Sequence, residues 1–391
     1  MKLSEICEYT TKRIETKSLG VDNYISTENM LQNKGGVVAA AKVPAEKAVA
    51  FNPGDILISN IRPYFKKIWH ADKRGGCSSD VLCLRALSGI DKTYLYYLLS
   101  QDSFFEYVMS GAKGSKMPRG DKAQIMNWEV SIPDFAEQKR VGEFLKSIDD
   151  KIALNNRINH NLEEQAQALY KSWFVDFEPF KDREFVNSEL GLIPKGWSIQ
   201  PFFNIAKLCS GGTPKTDRKE FWNGSIPFFT PKDIGSSTFC LSTEKRITED
   251  GLSNCNSVLY KAFTTFITAR GTVGKICMAG TPMAMNQTNY AICPISYIDD
   301  VVLFLITKQL VNNLKNKANG AVFDAITTRD FNGEMVLVAP HEIMDAFSAI
   351  VHPIYECILQ NEMNNASLSS LRGTLLPKIM SGSLVIHEIY S

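Results

Sequence analysis

Between Asp134 and Phe174 the chain reads DFAEQKRVGEFLKSIDDKIALNNRINHNLEEQAQALYKSWF, without a proline. Apolar residues recur at alternating steps of four and three: Val141, Leu145, Ile148 and Ile152, then Leu162, Ala166, Leu169 and Trp173. Asn155 and Asn159 fill the same positions between the two blocks. This is a heptad seam with a polar layer at its middle. Asp134 and Glu137 have capping-box spacing, which predicts the helix start. A helix of this length runs roughly 60 Å at about 1.5 Å per residue. So narrow an apolar face on so long a helix requires a partner.

The partner lies 206 positions on, where the seam returns as Phe347, Val351, Ile354 and Ile358, then Asn361 and Asn365, then Leu368, Arg372, Leu375 and Ile379. Both asparagine positions recur, and Arg372 is the one clear break. Buried amides cost stability but define register, because a slipped pairing buries them without partners. The two segments are expected to pair as a coiled coil. Pro353 sits early in the second, which predicts a kink or a late helix start.

The rest of the chain repeats as well. A block over 1–133 carries strand-like runs at Asp55–Ser59, Val81–Leu84 and Trp128–Pro133, with a helical segment from Thr93 to Met109 before the last. A second block over 190–339 carries Thr265–Ala269, Tyr290–Cys293 and Met335–Pro340, with a helical segment from Asp300 to Asn316 and a turn at Asn319-Gly320. Each long helix follows a strand ending in proline, at Pro133 and Pro340. The expected order is a lobe over 1–133, a long helix over 134–174, a charged link over 175–189, a lobe over 190–339, a second long helix over 340–382 and a tail over 383–391. In fold class this is α+β: two globular α/β lobes joined by two long helices, with a pseudo-two-fold repeat. The lobes match in detail at ILISNIRPYFKKI (56–68) and TFITARGTVGKI (265–276), where Arg62 falls on Arg270 and Lys67 on Lys275 with one residue of slack upstream.

Composition narrows the chemistry. The 391 residues suggest two or three domains, and 44% hydrophobic content is ordinary for a globular chain. No signal-type run opens the sequence, and its most apolar segment, near Val301–Ile306, is too short to span a bilayer. Nine scattered cysteines without CxxC spacing read as reduced cytosolic thiols, which suits a cytoplasmic protein. A net charge of +1 announces no polyanion, so nucleic-acid binding would rest on local patches. There is no GxxxxGK[ST] loop, GxGxxG turn, HExxH, G-x-S-x-G elbow, or D-P-P-Y or N-P-P-Y run. The five histidines, His70, His160, His341, His352 and His387, stand isolated, with no ligand spacing. Neither a catalytic site nor a metal site is expected; the chain reads as one that binds.

The candidate binding residues are basic and amide groups in loops. In the first lobe Arg62, Lys66 and Lys67 alternate with aromatics just past a strand end, and Lys113, Lys116 and Arg119 follow Gly111. In the second lobe the candidates are Thr213, Lys215, Arg218, Arg270, Lys275, Asn286 and Gln287. Lysine and arginine neutralise phosphates, arginine reads guanine, and a primary amide suits adenine. Taken singly, each cation is also what a solvated surface carries, and Trp69 and Trp222 are also what a core carries. The alternatives are a coiled-coil adaptor that binds proteins, or a methyltransferase with an unrecognised cofactor site.

The layout resembles the specificity subunit of type I restriction–modification systems. GDILISNIRPYFKKIW (54–69), CSSDVLCL (77–84), IPDFAEQKRVGEFLKSIDDKI (132–152), SELGLIPKGW (188–197), SGGTPKTDRKEFWNGSIPFFTPKDI (210–234), ITARGTVGKI (267–276) and LRGTLLPKIMSG (371–382) carry the resemblance over nearly the whole chain. It implies two target recognition domains joined by two antiparallel helices. Each domain would read one half of a split target in double-stranded DNA. The helices would set the spacing and dock two methyltransferase subunits, which bring S-adenosylmethionine and methylate adenine N6. ATP-driven restriction subunits would complete the nuclease, and the chain itself would bind no cofactor, catalyse nothing and touch no membrane. The sequence departs from the pattern where the first lobe lacks a GLIPKGW entry and where the second helix, opening APHEIMDAF, lacks the pair Glu137-Gln138.

Overall fold

The Asp134 carboxylate accepts the Glu137 backbone N–H at 2.9 Å, and the first long helix runs Phe135–Phe174. Only half of the expected capping box forms, because the Glu137 carboxylate takes the Arg140 guanidinium at 2.7 Å instead. The second long helix, His341–Met380, neither starts late nor stops at Pro353. Proline leaves the carbonyl four residues back without its donor. Here that residue is Ala349, which is exposed, so water can serve the acceptor.

The computed structural model describes residues 1–45, 47–189, 191–269, 274–295, 297–317 and 326–386. The expected turn at Asn319-Gly320, along with Arg270 and His387, lies outside them. The chain divides into two units, Met1–Ile152 with Ser367–Ser391 and Ala153–Ala366, so each long helix is shared between both.

In the first unit a sheet runs in the order Cys7–Tyr9, Val81–Ala86, Ile56–Ser59, Ile68–His70, with every neighbour antiparallel. Strand Ile56–Ser59 is buried throughout, which explains its unbroken apolar run. Ile56 and Ile58 face the core built by Leu95, Leu98, Phe104, Leu145 and Ile379, while Leu57 faces a cluster with Phe51, Ile25 and Cys77. The predicted single helix over 93–109 is two, Lys92–Leu99 and Asp102–Ser110. The backbone turns extended at Gln101, φ −66° and ψ 147°, while the Ser100 hydroxyl folds back on the Tyr96 carbonyl at 2.7 Å.

The second unit repeats this frame. Its sheet runs Ala206–Ser210, Asn289–Pro294, Thr265–Thr268, Ile276–Ala279, Phe239–Cys240, and helix Asp300–Lys317 covers one face. Phe266 and Ile267 face opposite cores, as Leu57 and Ile58 do. The Leu3 N–H donates to the Trp128 carbonyl at 2.8 Å just as Phe202 donates to Glu334 at 2.9 Å. The strand predicted over 128–133 shrinks to one bridge between Lys2 and Glu129, because its partner enters the turn Leu3–Glu5 immediately afterwards. In the second unit the corresponding strands, Ser198–Pro201 and Met335–Val338, pair fully.

The asparagine layer forms within the second unit. Asn155 donates to Asn365 at 2.8 Å, and Asn361 donates to Asn159 at 2.8 Å, so one helix advances as the other recedes. Asn365 also donates to Asn156 at 2.8 Å. Asn155 and Asn159 are 1% and 6% exposed, so each amide depends on its partner rather than on water. Within the first unit Arg372, the break in the seam, pairs with Asp149, whose other oxygen accepts the Tyr97 hydroxyl at 2.7 Å. The seam tolerates the charge because it is paired.

Beside the amides, the Glu362 carboxylate accepts the Thr238 and Phe239 N–H groups at 3.0 and 3.2 Å. Burial pushes its pKa up to about 7; the two N–H donors lower it in part, and nearby Glu163 raises it further. Lys308 reaches Glu163 at 4.0 Å. The folded chain therefore holds a proton that the unfolded chain releases near 4.5, and stability falls as pH rises between those values. Glu362→Gln is expected to flatten the decline in melting temperature between about pH 5 and about pH 7.5 and to leave the protein more stable at the upper end. An unchanged pH slope would contradict the buried proton. Asn365→Leu strands the Asn155 amide and should cost about 1–3 kcal/mol. The double variant Asn155→Leu/Asn365→Leu should recover most of that loss, as read by thermal and urea unfolding.

Candidate nucleic-acid interface

Arg62, Lys113 and Arg119 in the first unit, and Thr213, Lys275, Asn286 and Gln287 in the second, gather where the central strand ends. The Asn60 N–H, just past Ile56–Ser59, donates to the Asp80 carbonyl at 2.9 Å, and the Asn60 carbonyl accepts from Gly120 at 3.3 Å. Arg62 donates its N–H to Pro118 at 2.8 Å, and Lys113 and Arg119 exchange backbone bonds of 2.9 Å. These bonds bring Arg62, Lys113 and Arg119 together across more than fifty residues of sequence. Lys116 sits exposed in the loop between Lys113 and Arg119.

The second unit makes the same bonds with other side chains. Ala269 donates to the Thr288 carbonyl at 3.1 Å and accepts from Ile326 at 2.9 Å. Thr268 donates to the Lys275 carbonyl at 3.0 Å, as Ser59 donates to Lys67 at 3.1 Å. Ser59 thus corresponds to Thr268 and Lys67 to Lys275, and the one residue of slack lies inside the hairpin, ahead of Arg62. Gly212 donates to Met285 at 3.1 Å, and the Thr213 hydroxyl bonds the Gln287 side chain. A Cβ on Gly211 would fall 2.2 Å from the Met285 carbonyl, so only glycine permits this approach. Thr213, Asn286, Gln287 and Lys275 are thereby held around one strand end.

The candidates differ in what remains free. Lys67 is turned inward, its ammonium 2.6 Å from the Thr27 carbonyl, and burial lowers its pKa. Lys66 pairs with Asp102 at 3.0 Å, beside Lys34 at 2.9 Å. Lys113 pairs with Asp121 at 2.7 Å, and that hydrogen bond holds its pKa above the ordinary lysine value. Arg119 pairs with Asp80 at 3.2 Å and Arg218 with Glu220 at 3.1 Å. The half-buried Arg62 keeps its Nε without an acceptor. Lys116, Lys215, Lys275 and Gln287 are exposed. The Asn286 oxygen already accepts from Thr288 N and Oγ at 3.2 and 2.8 Å and from Asn289 at 2.6 Å. Its amide nitrogen stays available, but the paired donor and acceptor expected for adenine do not. Arg270 lies outside the described residues. Trp69 packs edge-on against Phe51 and Trp222 against Phe228, at centroid distances of 5.7 and 5.5 Å, so both serve the core.

The acidic partners Asp80, Asp102 and Asp121 were not legible in the sequence, since nothing local marks them as partners of distant cations. Nor were Val258 and Leu259, which are 55% and 48% exposed. Tyr260 exchanges bonds of 2.9 and 3.0 Å with Met283, and Ser257 Oγ accepts the Met285 N–H at 3.0 Å, so this apolar pair stands beside the Gly211–Thr213 corner. An apolar dipeptide reads from sequence as core. All nine cysteines are free thiols. Among the described residues no group of three or more His, Cys, Asp and Glu side chains is placed to hold a metal, and no helix is long and apolar enough to cross a membrane. His352 bonds Asp299 at 2.9 Å and stacks on Phe263, a packing role.

Comparison with known proteins bears on both units. The MjaIX specificity subunit of Methanocaldococcus jannaschii, a type I restriction enzyme component, is 28% identical over 307 residues, covering 77% of this chain and 71% of that one. The HindI specificity subunit of Haemophilus influenzae is 24% identical over 451 aligned positions, covering 98% of both chains. A crystal structure of the type I restriction–modification S subunit from M. genitalium superposes with a TM-score of 0.64 over 97% of this chain and 95% of that one, at 16% identity, which shows the shared fold. The family model described as the type I restriction modification DNA specificity domain matches residues 1–164 and again 194–359. With both halves of the repeat so matched, the chain belongs to the DNA specificity subunits of type I restriction–modification systems, the non-catalytic part of the complex.

Proposed function

We propose that the chain reads a split target in double-stranded DNA, one half with each lobe, and positions two methyltransferase subunits that methylate adenine N6 with S-adenosylmethionine. Restriction subunits driven by ATP complete the assembly in the cytoplasm. The observation that carries this is the repeated corner: one set of backbone bonds, at Asn60 and at Ala269, gathers basic and amide side chains from distant loops in both units. Lys116, Lys215 and Lys275 take phosphates, with Arg119 and Lys113 exchanging their carboxylate partners for phosphate as DNA arrives. Gln287 is the best-placed group for a base edge, since its exposed amide nitrogen can still donate, whereas the Arg62 Nε, though without an acceptor, is buried. The paired long helices act as the spacer, and the amide layer Asn155, Asn159, Asn361 and Asn365 keeps its length constant.

Mapping N6-methyladenine in DNA from cells carrying this chain and its methyltransferase tests the reading. A two-part motif with a constant gap is expected; methylation without sequence preference would refute it. Exchanging residues 190–339 for the corresponding lobe of a relative should change one half of that motif and leave the other intact. Lys116→Ala should weaken binding of all duplexes alike and lower the slope of log affinity against log salt by about 1. An unaltered slope would remove Lys116 from the phosphate contacts.

A further inference from the structure

The hairpin after Ile56–Ser59 is built against a conformational penalty. Just before Lys275 the chain needs a left-handed residue, and Gly274 supplies it at φ 74°. At the corresponding position the first unit uses Lys66, at φ 50°. A residue with a side chain adopts that conformation only against a steric penalty. Arg62, Asn33 and Lys34 are also left-handed, so four of the seven such non-glycine residues among those described lie in this one corner. Strain of this kind persists only where surrounding contacts over-determine it, and it concentrates at binding sites.

Those contacts are present. Asn33 and Lys34 donate their N–H groups to the Phe65 and Lys66 carbonyls at 2.8 and 2.9 Å, tying a second loop to the hairpin. Lys34 and Lys66 clamp Asp102, and Lys67 reaches the Thr27 carbonyl at 2.6 Å. Three lysines are thus spent on holding the turn. What it carries is Tyr64, in the short helical turn Pro63–Phe65, with its ring 4.6 Å from Phe65. Phe65 is half-buried, whereas Tyr64 is 46% exposed and serves no core.

The geometry points to Tyr64 as a DNA-contacting residue of the first half-site, its ring making an apolar contact with the duplex from a turn whose shape is set beforehand. The surface it meets is a thymine C5-methyl or the face of a deoxyribose, both of which accept an aromatic ring. Pre-setting the turn removes an ordering cost that would otherwise be taken from the binding energy. Where glycine would adopt the turn freely, Lys66 adds an ammonium that reaches Asp102 at 3.0 Å. The inference rests on the reading of the chain as a two-lobed DNA reader.

The test uses the full chain with its methyltransferase subunits and a duplex carrying the mapped methylation motif. Tyr64→Ala should weaken binding of that duplex by roughly tenfold, the scale of a lost specific contact. Tyr64→Phe should bind as the unmodified chain does. Asp102→Asn, which loosens the clamp and leaves the ring intact, should weaken the same duplex and one altered only in the second half-site, and should spare one altered only in the first. Replacing first-half thymines by uracil separates the two surfaces: weaker binding by the unmodified chain identifies a methyl, and unchanged binding identifies the sugar. The inference is overturned if Tyr64→Ala binds the mapped duplex as tightly as the unmodified chain. If the unmodified complex fails to prefer that duplex over a scrambled one, the two-lobed reading itself has failed.

Discussion

Paired amides tie a helical seam to one register, and the rest of this structure depends on that constraint even though Asn155 Oδ1 is left without a partner. Asn155 faces Asn365 and Asn159 faces Asn361, and a slip of either helix by one turn would set an amide against an apolar side chain. The same register puts Glu362 and Glu163 beside Thr238 and Phe239, so the helix pair grips its lobe through hydrogen bonds as well as apolar packing. In the first unit Asp149, Arg372 and Tyr97 form a comparable polar junction with different chemistry. Polar groups at such junctions favour one arrangement over many of similar apolar content.

The two units keep a common frame through backbone bonds rather than through side chains. Asn60 and Ala269 share no side-chain chemistry, yet each makes the same pair of main-chain bonds to two other loops. A frame held in this way leaves the side chains of those loops free to differ. That freedom suits a specificity subunit, in which a constant scaffold can carry two lobes with unlike surfaces.

Most of the charge at these corners is paired at the surface. Lys113 and Arg119 hold carboxylates at the surface, where an ion pair is worth little. Either cation can therefore change its partner at little cost in stability. Lys67 belongs to a different class: its partner is a carbonyl, and it serves the loop rather than the surface.

Much of the architecture was written in the sequence. The seam residues, the paired asparagines and the doubled strand–helix order follow from periodicity, which local residue spacing expresses directly. Tertiary structure decided what spacing cannot carry. Lys67 and Lys275 align in sequence, yet one ammonium is turned inward and the other side chain is exposed, because the fate of a side chain depends on which distant loop lies beside it. Asn286 looked like an adenine reader until Thr288 and Asn289 were found to occupy its oxygen. Pro353 predicted a kink or a late start, but its freed carbonyl belongs to an exposed residue and the helix already runs from His341. Register and repeat are one-dimensional properties and survive in the sequence. The availability of a hydrogen-bonding group is settled by neighbours that only folding brings into reach.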